Sequence, residues 1–86
     1  MAEQTPSIGR VVHYTLTADD AKAINADLAR NGNRVAEGDI FPAMIVRVFQ
    51  HESANLQVFL DGDDSFWATS RTLSDGAGHW NWPPRV

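Results

Sequence analysis

Apolar and polar positions begin to alternate at Arg10. Val12, Tyr14 and Leu16 fall on one parity and Val11, His13 and Thr15 on the other. That is the period of a half-buried strand, and the β-branched and aromatic content supports it. The period then changes. Ala21, Ile24 and Leu28 recur at helical spacing, which predicts a helix over residues 18–31. Thr17 stands at its N-cap with Asp20 three residues on, a capping box with aspartate in place of glutamate; Asp19 and Asp20 suit the positive end of the helix dipole. Gly32 is the expected stop. Only two large apolar side chains line this stripe, so the helix should pack lightly at the edge of the core.

Residues 33–42 read as a connector, with turn chemistry at Glu37-Gly38-Asp39 and Pro42 restraining the chain before the next strand. Residues 43–49 are apolar on both faces apart from Arg47, which predicts a central strand or one covered from both sides. A turn over 50–55 leads to clean alternation at 56–60. Asp61-Gly62 is then a strong hairpin signal, since a type I′ turn needs positive φ at both central positions. The strand over 65–71 should place Trp67, Thr69 and Arg71 on one face and Phe66, Ala68 and Ser70 on the other. A loop at 74–78 precedes a short closing strand at 79–82, and Pro83-Pro84 put that strand at an edge. Trp80 and Trp82 share a parity, so they are expected to be buried together or available together.

Five short strands and one helix inserted after the first predict a mainly β fold, a small five-stranded antiparallel SH3-like barrel. It is expected to form one domain over residues 1–86, with a disordered lead at 1–7. A chain of 86 residues has a thin core, burying roughly 60–65% of its unfolded surface. Small domains usually need a staple. Cysteine is absent, which excludes disulfides and thiolate metal sites and leaves self-association. Net charge is −4, from eleven acids and seven bases, against general nucleic-acid or membrane-surface binding. Six of the seven bases are arginine, the residue suited to bidentate phosphate recognition. The first residues carry no secretory signal pattern, and no apolar run approaches the ~18 residues of a membrane span, so an intracellular protein is expected.

Chemistry-bearing residues are few. His13, His51 and His79 lack close ligand spacing, Asp61-Gly-Asp-Asp64 lacks the layout of a calcium loop, and no serine sits in a nucleophile elbow. The expectation is a protein without metal, cofactor or catalysis. The combination that stands out is aromatic plus arginine: Trp67, Trp80 and Trp82 as stacking platforms, Arg10, Arg47, Arg71 and Arg85 for phosphate, and His13 or His79 assisting. Packing in the core or at a subunit interface competes for each tryptophan.

Several blocks carry a resemblance: residues 7–14 (SIGRVVHY), 42–48 (PAMIVRV), 55–62 (NLQVFLDG), 67–70 (WATS) and 80–83 (WNWP). In this order they resemble a family of small phage and prophage proteins. The resemblance implies a phage gene acting in the host cytoplasm and supplies no catalytic residues. Two departures stand out. The family's first strand runs almost directly into the Pro-Ala strand, so the helix looks inserted. The family's ending reads Gly-Thr-Trp-His-Trp-Pro, where this chain has His79 for the threonine and Asn81 for the histidine. The leading expectation is a non-enzymatic, homo-oligomeric sponge that sequesters a nucleotide-derived host immune signal, of cyclic nucleotide or cyclic ADP-ribose type. A virion or assembly accessory and a direct inhibitor of a host protein are the alternatives.

Overall fold

The computed structural model describes residues 5–26, 34–62 and 64–84. The elements run β1 (Val11–Thr15), α1 (Ala18–Asn25), β2 (Ile40–Val48), β3 (Ser53–Phe59), β4 (Ser65–Thr72) and β5 (Trp80–Asn81). The strands form one antiparallel sheet in the order β4-β3-β2-β1-β5. The sheet curls until its two ends meet. Leu73, just after β4, bridges to Trp80 of β5; Ser74 N donates to Trp80 O (3.1 Å), and the Trp80 indole Nε1 donates to Arg71 O (3.0 Å). The result is the mainly β, small five-stranded SH3-like barrel, with one helix inserted between its first two strands.

Alternation does most of the folding work. Val12, Tyr14 and Leu16 point inward with no exposed surface, as do Ala43, Ile45, Ala54, Leu56 and Val58. Trp80 and Tyr14 are the largest fully buried side chains. β2 is the central strand, as its two apolar faces imply. It starts at Ile40, so Pro42 lies within it rather than before it, opposite His13. Its pairing with β3 begins only at Ala43, so the missing proline N–H costs that ladder nothing.

Two bulges shape the curl, and both lie opposite Asn55. On one side β2 sets Val46 and Arg47 against it; on the other, β4 sets Thr69 and Ser70 against it. Asn55 Oδ1 accepts from Ser70 N (2.8 Å) and from Thr69 Oγ1 (3.0 Å), which fixes the β4 bulge. A bulge bends its strand and increases local twist, and two at one level turn a sheet toward a barrel. The β4 bulge also corrects the expected facing of that strand. Ser70 has φ +56°, so Arg71 leaves the face of Trp67 and Thr69 and turns inward, while Ser70 itself is exposed.

The turns fall differently from expectation too. Asp61-Gly62 does lie in the β3–β4 hairpin, closed by Leu60 N to Asp64 O (3.2 Å), but Asp61 does not take the positive φ of a type I′ turn. That signature sits at His51-Glu52 (φ +60° and +59°) in the β2–β3 hairpin, where Ser53 N bonds Gln50 O (3.2 Å) and Phe49 N bonds Ser53 O (2.7 Å).

α1 begins with the expected capping box: Asp20 N donates to Thr17 Oγ1 (2.9 Å) and Thr17 N to Asp20 Oδ2 (3.0 Å). Ala21 and Ile24 are its buried apolar contacts. The described helix is Ala18–Asn25; residues 27–31 of the predicted span, Leu28 among them, and Gly32 lie outside the described residues, as do residues 1–4 of the expected lead. The Asn25 side chain exchanges two hydrogen bonds with the Val35 backbone, both 2.8 Å, and so pins the connector to the helix end.

Candidate ligand groove

Trp82 follows the two-residue β5 and turns back onto the barrel. Its ring meets that of Trp80 edge-on, with centroids 5.3 Å apart. The two therefore share a face as their parity implies, but their burial is graded. Trp80 has no exposed surface, while Trp82 is half-buried. Trp82 forms a wall between two depressions. One is an open groove of about 490 Å³ with an apolar lining of Pro6, Val48, Phe49 and Leu73, and with Glu52 at its rim. The other, about 320 Å³, includes His13, Thr15, Ser74 and Asn81.

The larger groove has two aromatic walls, Trp82 and Phe49, and each carries an arginine. The Arg10 guanidinium lies 4.8 Å from the Trp82 ring centroid, and that of Arg47 lies 5.5 Å from the ring of Phe49. Such contacts hold the guanidinium planes beside the rings. Glu52 is placed at the groove by the left-handed His51-Glu52 turn, whose backbone is fixed by Leu73 N donating to Glu52 O (3.1 Å). Left-handed backbone at two successive non-glycine residues costs roughly 1–2 kcal/mol each, so this rim is held against a local preference.

The remaining candidates sit elsewhere. Arg71 is drawn inside, with its Nη2 3.5 Å from Asp20 Oδ1 and its guanidinium 5.6 Å from the Tyr14 ring centroid. Its Nε is buried without a hydrogen-bond partner among the described residues. Asp20 is nearly fully buried and also accepts from the Tyr14 hydroxyl. Burial, and then that hydrogen bond, hold the Tyr14 hydroxyl well above the usual tyrosine range. Gly78 closes over this cluster: with φ +85°, a Cβ there would come within 3.0 Å of Thr17 Cγ2 and 3.4 Å of Arg71 Nη1. His79 Nδ1 lies 3.1 Å from Thr72 Oγ1 and 3.3 Å from Thr72 O, which ties the closing loop to β4. Trp67 stands half-exposed on the outer face of the sheet, away from the groove. Arg85 lies outside the described residues.

Of the sequence-predicted set, the structure thus brings together Arg10, Trp80 and Trp82, with His13 in the depression on the other side of Trp82 and Arg47 beside the Phe49 ring. Phe49 and Glu52 were not singled out by sequence. Phe49 reads as one more apolar residue of a strand, and the left-handed turn presenting Glu52 lacks the usual glycine or asparagine. Among the described residues no three histidine, aspartate or glutamate side chains group as a metal site. No described helix is long and apolar enough to cross a membrane. Set against protein-family models, curated proteins and solved structures, the chain finds no match.

Proposed function

We propose that the protein is a non-enzymatic, phage-encoded sponge, homo-oligomeric in the host cytoplasm, that captures a nucleotide-derived immune signal in the Trp82–Phe49 groove and so blocks antiphage defence. One observation carries the reading: two aromatic rings, Trp82 and Phe49, line one groove and each has an arginine guanidinium beside it. A nucleobase is planar and apolar on its faces, and base–aromatic stacking contributes about 1–3 kcal/mol. A phosphate beside it is anionic and matches a guanidinium. A groove of about 490 Å³ is in the size range of small-ligand sites. Glu52 adds a directional acceptor, suited to the N–H donors on a base edge. Trp82, Phe49, Arg10 and Arg47 hold the ligand, and Glu52 reads it. The phage origin rests on the motif resemblance.

Isothermal titration calorimetry against a panel of cyclic nucleotides and cyclic ADP-ribose isomers tests this. At least one member is expected to bind with a stoichiometry of one per groove. Trp82→Ala should weaken binding by roughly 5- to 150-fold, the equivalent of one lost stacking contact. Absence of heat with every member at micromolar protein sinks the proposal.

A further inference from the structure

The smaller depression, beyond Trp82, has no part in the proposed capture, yet its polar groups are fixed in place. The loop on one side of it is tied down at three points. Ser74 N donates to Trp80 O (3.1 Å), Gly78 N to Thr15 O (2.8 Å) and His79 N to Gly76 O (3.3 Å). Asp75 therefore stands on an anchored loop. Asn81 is held at both ends of its carboxamide. Its Oδ1 accepts from Trp82 N (2.8 Å), which sets the orientation of the group, and its Nδ2 donates to Asp75 Oδ1 (2.9 Å). That leaves Asp75 Oδ2 and the second Asn81 N–H side by side, with no bond from either to a described residue. His13 pairs with Asn81 across β1 and β5, so its imidazole shares the same face.

The lining decides the charge of what fits. No lysine or arginine contributes to it, and an anion would meet the Asp75 carboxylate. Among the described residues no three histidine, aspartate or glutamate side chains group there to hold a metal ion. A neutral ligand with a donor and an acceptor next to each other suits the pair. Adjacent hydroxyls on a saturated ring supply both: one O–H donates to Asp75, and the neighbouring oxygen accepts from Asn81. The C–H face of such a ring is apolar and can rest on the Trp82 indole. A volume of about 320 Å³ lies at the small end of ligand sites, which suits one ring. We propose that this depression binds a single sugar ring through a vicinal diol. Asp75 and Asn81 clamp the diol, Trp82 carries the ring face and His13 adds a polar contact. Two sources offer this chemistry, the ribose of a nucleoside and a hexose of a glycan. The site is separate from the Trp82–Phe49 groove and does not depend on the ligand proposed there.

Nitrogen–proton correlation spectra of the labelled full chain are the test, with titration by methyl β-D-ribofuranoside and, separately, by methyl α-D-glucopyranoside. At least one is expected to give saturable shifts at millimolar concentration, as suits a ligand of about a dozen non-hydrogen atoms. Saturation by the first alone assigns the site to ribose, and by the second alone to a hexose. The Asn81 carboxamide and Trp82 indole signals should move, and the Trp67 indole signal should not. Asp75→Ala, on the exposed loop, should weaken binding at least about tenfold. An unmoved signal from the buried Trp80 indole then shows that the barrel is intact. Methyl 2-deoxy-β-D-ribofuranoside lacks the vicinal diol and should not saturate in the same range. No saturable shift with either glycoside up to about 100 mM overturns the proposal. So does binding that Asp75→Ala leaves unchanged, or a deoxy sugar that binds as tightly as the diols. Calorimetry with nucleotides reads the larger groove, so failure here is separate from failure of ligand capture.

Discussion

Asp20 carries three duties at one position. It closes the capping box of α1, accepts from the buried Tyr14 hydroxyl and faces the Arg71 guanidinium. Its burial is tolerable because each oxygen has a partner. The Tyr14 hydroxyl is held protonated by this arrangement, and that has a measurable consequence. Its pKa lies above the ordinary 10.0, so the folded chain keeps its proton after the unfolded chain has lost it. Stability contributed by Tyr14 is thus fully present below pH 10 and is lost as pH rises above it, by about 1.4 kcal/mol per pH unit. Urea unfolding between pH 8 and 11 should show this decline in the native chain and not in Tyr14→Phe; identical slopes would contradict the account. The capping half of this cluster was legible in Thr17-Ala-Asp-Asp20. The Arg71 half was not, because the inward turn of Arg71 depends on a left-handed Ser70, a residue type that does not announce positive φ. For the same reason the sequence grouped Arg71 with Trp67.

At the scale of elements, strand positions followed from alternation, since a period-two apolar face can bury itself in only one way. Element ends and turns were less readable. Asp61-Gly62 has the composition of a type I′ turn, but the geometry falls at His51-Glu52. The hairpin register, set by inward Ile45 and Leu56 and by the bulge opposite Asn55, leaves two residues for that turn whatever their preference. This mismatch separates stability from binding. His51→Asn with Glu52→Gly supplies the residues that adopt this backbone readily and should raise unfolding stability by about 1–2 kcal/mol in urea titration. The same variant removes the Glu52 carboxylate from the groove and should weaken ligand capture. A variant that gains no stability would argue against the turn, and one that binds as tightly as the native chain would remove Glu52 from the recognition set. Backbone strain kept at a binding rim is a common trade of stability for function.

The whole molecule is a thin-cored barrel with two distinct outward features. Trp80 joins the ends of the curled sheet from inside, Trp82 raises a wall outside it, and the outer sheet face remains uncovered on the far strands. The sequence made the tryptophan pair conspicuous and its shared face readable. It could not divide the labour between the two, because only the closure of β4 onto β5 decides which ring is sealed in. Nor could it show that the arginines separate, with Arg10 beside Trp82, Arg47 beside Phe49 and Arg71 turned inward to Asp20. The central claim is that a nucleotide-type ligand enters beside Trp82. The three tryptophans offer a direct readout, since each contributes one indole N–H signal to a nitrogen–proton correlation spectrum of the labelled protein. On addition of the ligand selected by calorimetry, the Trp82 signal, assigned with Trp82→Phe, is expected to shift most. The signal of Trp80, in ring contact with it, should follow weakly, and that of Trp67 should stay in place. A spectrum in which Trp67 shifts and Trp82 does not would contradict the account.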